Sequence, residues 1–149
     1  MEFAMLKKIR LDIESTITDL DERGMPDGEP QISRTSHPGV MRVAADEISL
    51  SYRESDENGC VSCVITIRGG LVSVRREGAI VSVMLFDPDE PFKTIYSIPP
   101  YKFDMEIVTE SLSVDVCEAG GKINVLYGMN VGGAVKKAKM TILAEVTGS

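Results

Sequence analysis

The stretch Leu71–Phe86, LVSVRREGAIVSVMLF, sets strand-forming residues on both sides of Glu77-Gly78. That is the pattern of an antiparallel hairpin, with the turn predicted at Glu77-Gly78. Side chains alternate across a strand, so Val72, Val74 and Arg76 share one face of the first arm and Ser73 and Arg75 the other. Arg76 therefore follows two valines onto the apolar face. Two strands alone are marginal in water, so this face must be buried against further strands.

The same alternation runs along most of the chain. Ile9, Leu11, Ile13, Ser15 and Ile17 alternate with Arg10, Asp12, Glu14 and Thr16, a strand with one wet face. In the run Val40–Glu54, Ile48, Leu50, Tyr52 and Glu54 share a face, which puts a carboxylate on the apolar side. After a turn at Ser55–Gly59, Val61, Cys63, Ile65 and Ile67 alternate against Ser62, Thr66 and Arg68, and Gly69-Gly70 reverses the chain. The arm Ala79–Phe86 is apolar on both faces apart from Ser82, so its outer side is expected to be covered, by a loop or by a second copy in a homodimer. Phe92–Ile98 reads as a short strand stopped by Pro99-Pro100. The inward parity of Met105, Ile107 and Thr109 passes to Leu112, Val114 and Val116, which predicts a β-bulge near Glu110-Ser111. Beyond Gly120-Gly121, Ile123, Val125, Tyr127, Met129 and Val131 share a face, as do Ala138, Met140, Ile142, Ala144 and Val146 in the last strand.

Between Asp19 and Gly39 the alternation dissolves into a segment rich in Gly, Pro, Asp and Ser, and the sequence predicts a long mobile surface loop over 19–39. No segment carries a helical apolar period. A chain of 149 residues with 43% hydrophobic content supports one domain, 1–149. The expected fold is all-β, a single closed antiparallel up-and-down β-barrel of about eight to ten strands, because closure removes sheet edges.

Composition marks down several functions. Sixteen Lys and Arg against 23 Asp and Glu give a formal charge of -7, and 5% aromatics without tryptophan offer no basic, base-stacking surface for nucleic acid. The N-terminus has no leader-like apolar run and no stretch reaches membrane-spanning length, so a soluble cytoplasmic protein is expected, without a membrane partner. Three cysteines fit a reducing compartment. Cys60 and Cys63 form C-x-x-C within a strand-like run, where residues three apart point to opposite faces, so neither a metal site nor a disulfide is expected. His37, the one histidine, sits in Ser-His-Pro-Gly with no adjacent Cys or carboxylate, which gives no catalytic dyad. Asp19, Asp21 and Glu22 miss the spacing of a calcium loop and read as a solvated acidic turn. The sequence thus points to no catalytic residue set, no metal and no cofactor.

Taken in order, Asp27-Gly28-Glu29, Tyr52-Arg53-Glu54, Gly59, Thr66, Arg76-Glu77-Gly78, Met84, Phe86, Tyr96 and Pro100-Tyr101 form a pattern. Thr109, Leu112, Val114, Gly120-Gly121 and Tyr127 continue it, and the whole resembles the YwiB-like family of small bacterial proteins. The likeness covers most of the chain from Leu6 onward and lies in the order and spacing of short motifs. It departs at Lys102, where the family tends to carry glycine, and in the doubled Pro99-Pro100. The resemblance implies a calycin-like, lipocalin-type barrel in a bacterial cytoplasm, and no reaction.

Candidate site residues follow. Arg76 and Glu54 share the expected inner face at the ends of their strands, so they are expected to form a charge pair at one mouth of the barrel. There Arg76 either braces that end or orients a carboxylate or phosphate. Tyr52 and Tyr127 fall on inner faces, as core or as cavity lining. With Thr66 and Tyr96 from the family-like pattern, these complete the ligand-binding candidates. The expected function is a non-enzymatic barrel holding a small apolar or anionic molecule among Ile65, Val74, Val125 and Met140, with Met84, Met105 and Met129 making the interior adaptable. The alternatives are a filled barrel used for interaction or oligomerisation, and an enzyme with an unrecognised site.

Overall fold

The computed structural model describes residues 4–56 and 59–148, with the side chain of residue 56 left out. Residues 57 and 58, in the predicted Ser55–Gly59 turn, lie outside the described residues. The strands are β1 (Met5–Asp19), β2 (Gln31–Val43), β3 (Glu47–Asp56), β4 (Gly59–Arg68) and β5 (Leu71–Gly78). They continue as β6 (Ser82–Phe86), β7 (Phe92–Ile98), β8 (Tyr101–Cys117), β9 (Gly120–Val131) and β10 (Ala134–Gly148). All belong to one antiparallel sheet in the order β6-β5-β4-β3-β2-β1-β10-β9-β8-β7.

The chain ends are stitched together, since β1 and β10 pair from Lys8↔Gly148 to Asp19↔Lys136. The weak seam lies instead in mid-chain. Between β6 and β7 closure rests on the bridge Val81↔Ser97, with reciprocal N–H···O bonds of 2.9 Å. The barrel is therefore nearly closed, and not sealed by a continuous ladder. The connection Asp87–Pro91 carries two prolines and an Asp87 that caps its own turn, with the Asp89 N–H donating to Asp87 Oδ1 at 2.9 Å, so it cannot make a tight hairpin.

Local chemistry accounts for the other turns. Gly69 and Gly70 have φ of 59° and 77°, the left-handed pair that a two-residue hairpin loop requires, and they close β4 onto β5. The register of β8 against β9 shifts between Thr109 and Ser111, so the predicted bulge is present. The turn after β5 falls two residues later than expected. Gly78 still pairs with Val61, and Arg76 faces Ser82, so the chain reverses around Ala79-Ile80 and β6 starts only at Ser82.

Two further expectations are corrected. The run Val40–Glu54 is two strands parted by a turn in which the Ala44 N–H donates to Glu47 O at 2.9 Å. The predicted loop 19–39 is half strand, for β2 begins at Gln31 and pairs with β1 from Ile17↔Gln31 onward. Periodicity hid it because residues 31–36 are exposed on both faces and Pro38 interrupts the run. Pro38 is admitted because β2 gains its second neighbour, β3, only at Gly39↔Tyr52, so the proline lies on a one-sided stretch.

The core fills one half of the barrel with Ile9, Leu11, Met41, Leu50, Val72, Phe86, Ile107 and Ile123, all buried. The other half, around Ile13–Ile17 and Lys136–Met140, contains cavities.

Candidate functional site

Register brings four inner side chains into one row across adjacent strands: Tyr52 opposite Cys63, Cys63 opposite Arg76, and Arg76 opposite Ser82. The alternation that put Arg76 behind Val72 and Val74 is what carries it inward. On one side of it lies a cavity of about 310 Å³ lined with polar groups, among them Ser33, Thr35, His37, Tyr52, Glu54 and Ser55. On the other lies one of about 290 Å³ whose walls include Met84, Met105, Met129, Tyr96, Tyr127 and Lys136. Ser15, Val74, Arg76 and Met140 line both, so the two chambers adjoin at the arginine.

The polar chamber reaches the surface where β2 and β3 part company. Their ladder runs only from Gly39↔Tyr52 to Val43↔Ile48, and beyond it Ser33 and Thr35 on β2 face Glu54 and Ser55 on β3 across the cavity. His37, expected in a loop, is a strand residue here, with its ring 4.8 Å from that of Tyr52. The Tyr52 hydroxyl donates to Glu54 Oε1 at 3.2 Å. Tyr127 packs on Phe86 at 4.8 Å between ring centres.

The expected Arg76–Glu54 charge pair does not close. Among the described residues Arg76 has no carboxylate within 4.0 Å, although Glu54 lines the same chamber. Three buried side-chain atoms lack a hydrogen-bond partner among the described residues: Arg76 Nε, Ser82 Oγ and His37 Nε2. Arg76 and His37 line the chambers, and Ser82, 1% exposed, faces Arg76 across the β5–β6 ladder. Buried polar groups are nearly always satisfied, so the two orphans on the wall of the polar chamber, Arg76 and His37, mark it out.

Electrostatics follow from burial. Desolvation pushes the Tyr52 hydroxyl far above the usual phenol range, with Cys63 and Glu54 adding to it and Arg76 opposing. Cys63 is likewise raised by burial and then by Glu54. Burial works against the Arg76 charge, yet its surroundings, the Glu54 carboxylate first, more than offset it, so the guanidinium stays charged. Tyr127 is raised by burial and partly relieved by Arg76. The folded state thus holds the Tyr52, Cys63 and Tyr127 protons more tightly than the unfolded chain. Their stabilisation is complete below the unfolded values of about 8.5 for thiol and 10 for phenol and is lost as pH rises past them. Urea midpoints are expected to fall between pH 8 and pH 10.5, and a thiol reagent at pH 8 is expected to label exposed Cys60 and Cys117 while sparing buried Cys63. Labelling of Cys63 at the rate of Cys60 would contradict this placement.

Of the sequence candidates, Arg76, Glu54, Tyr52, Tyr96 and Tyr127 meet around the two chambers. Thr66 does not. It pairs with Ser49 and Ser73 on the face opposite Ile65, and it lines neither chamber. Sequence reasoning missed Ser82 and Lys136, and passed over His37 and Cys63 as site residues. Cys63 shares the inward parity of Ile65, which was the available signal. Of the expected cavity walls, Ile65, Val74 and Met140 contribute, whereas Val125 is core. The acidic turn is occupied by its own structure: Asp19 takes Lys136 Nζ at 2.8 Å, and Asp21 Oδ1 accepts the N–H groups of Arg23 and Met25.

Comparison with known proteins finds this architecture elsewhere. A family described as a domain of unknown function, DUF1934, matches residues 18–142. An uncharacterized beta-barrel protein of Bacillus subtilis (strain 168), YwiB, is 27% identical over 124 residues, 83% of this chain and 82% of that protein. The crystal structure of the ywiB protein from Bacillus subtilis aligns with a TM-score of 0.83 at 26% identity, covering 95% of this chain and 93% of that one.

Proposed function

This chain belongs to the DUF1934 family, and we propose that its barrel binds a small molecule that offers a carboxylate- or phosphate-type anionic group to Arg76 and lays an apolar body against the methionines. The observation that carries this reading is the buried, partnerless Arg76 Nε at the junction of two cavities. A buried donor left unmade costs about 1–3 kcal/mol, more when charged. An anionic ligand removes that cost through charge-assisted, two-pronged hydrogen bonds.

A brace through Glu54 would close that pair, and among the described residues it is open. A nucleophilic enzyme would lower the thiol or phenol pKa, whereas Cys63 and Tyr52 are both held protonated. The exposed Val81, Ile95, Tyr101, Phe103 and Val108 on the β6–β8 side are the best support for an interaction module, but exposed apolar side chains are common on any protein surface. Free cysteines fit a cytoplasmic setting, and the charge of -7 favours small molecules over nucleic acid.

The chain has no tryptophan and four tyrosines, of which Tyr52, Tyr96 and Tyr127 line the chambers. Tyrosine emission therefore reads the interior directly. Titration with octanoate is expected to give a saturable change, and 1-octanol, with the same chain and no charge, to bind about tenfold or more weakly. Equal response to both, or to neither, would overturn the reading.

A further inference from the structure

The polar chamber holds an unclosed pair of opposite charges, and that gap narrows the ligand class. Arg76 and Glu54 line the same cavity of about 310 Å³. Glu54 gives one lone pair to the Tyr52 hydroxyl, while an ionised carboxylate can accept about four hydrogen bonds. His37 Nε2 is buried in the same wall without a partner. The chamber thus presents a free donor on one side and free acceptors on the other.

Charge balance says what fits between them. With Arg76 and Glu54 both ionised, the chamber is neutral before a ligand enters. A monoanion would leave one negative charge uncompensated in a partly desolvated space, where an unpaired charge is costly. A ligand carrying both signs keeps the chamber neutral. Volume points the same way, because cavities of about 310 and 290 Å³ sit at the lower end of the usual range of about 300–1,000 Å³ for ligand sites.

Resting on the binding reading above, we propose that the ligand is a small zwitterion with an apolar tail, of the apolar α-amino acid class. Its carboxylate meets Arg76, its ammonium faces Glu54 and His37, and its side chain enters the methionine-lined chamber. Arg76 is shared by both chambers, which allows head and tail to part on either side of it. Met84, Met105, Met129 and Met140 line the tail's chamber with unbranched, adaptable side chains.

The test is calorimetric titration at neutral pH with three probes that share a phenylethyl group: L-phenylalanine, 3-phenylpropanoate and 2-phenylethylamine. L-phenylalanine is expected to bind about tenfold or more tightly than either analogue, since each analogue leaves one charged protein group unmatched. In Glu54→Gln, which keeps the side-chain shape and an acceptor for Tyr52, the preference for L-phenylalanine over 3-phenylpropanoate is expected to fall to within about threefold. Should 3-phenylpropanoate bind the wild-type protein as tightly as L-phenylalanine, the zwitterion is overturned and the anion reading stands. If 2-phenylethylamine matches L-phenylalanine, or none of the three binds, both are overturned.

Discussion

Arg76→Met is expected to abolish ligand binding while leaving the barrel as stable as before or more so. Losing a buried, hydrogen-bonded charge partner costs about 2–5 kcal/mol of binding, on the order of 30-fold in affinity or more. Stability moves the other way. Arg76 has no ion-pair partner within 4.0 Å among the described residues and an unsatisfied Nε, so its removal relieves a desolvated charge, and the Glu54 left behind lies where the polar chamber reaches the surface and water can solvate it. Urea unfolding of the variant should give an unchanged or higher midpoint. A drop of about 3–5 kcal/mol, the size expected from breaking a buried ion pair, would make Arg76 a brace.

Gly121→Ala is expected to be among the most damaging single-methyl changes in the chain. Gly121, the second residue of β9, has φ of 150°, and a Cβ there would overlap the carbonyl oxygen of Asp115 and stand 2.7 Å from the Val116 Cα. Both obstacles are backbone atoms of β8, which cannot swing aside as a side chain would. The expected cost is about 3 kcal/mol or more, a fall in melting temperature of about 10 °C. If β8 and β9 slip to relieve the clash, Tyr127 and Met129 leave the second chamber, because a one-residue shift sends inner side chains outward. Calorimetric melting with a titration of the surviving fold separates lost stability from lost binding.

Much of this fold is legible in the sequence because period two is a strong signal wherever one face is buried. β1, β4, β5, β9 and β10 show it, and even the slip at Thr109–Ser111 leaves its mark in the parity of Met105 and Leu112. β2 escapes because its first half has no buried face from Gln31 to Ser36, so no alternation exists to be read. The turn after β5 is misplaced for a different reason. Gly78 looks like a turn glycine but is a close-approach glycine, needed where a Cβ would meet the Cys60 carbonyl.

The site divides in the same way. Arg76, Glu54 and Tyr52 are legible as polar side chains at inward parity, and register then sets Cys63 between two of them. That Arg76 and Glu54 fail to close depends on side-chain placement across the intervening strand β4, which no sequence pattern encodes. Nor does any pattern place His37 on Tyr52, since that contact depends on β2 being a strand.

Whether the interior carries a ligand through Arg76 decides whether this barrel is a binding protein. Native mass spectrometry of the wild-type and Arg76→Met proteins, each purified from the same bacterial cytoplasm and compared with its denatured form, measures this directly. A small-molecule adduct on the wild-type protein, lost on denaturation and absent from the variant, is the predicted result. A bare wild-type protein, or an adduct carried equally by the variant, would contradict it.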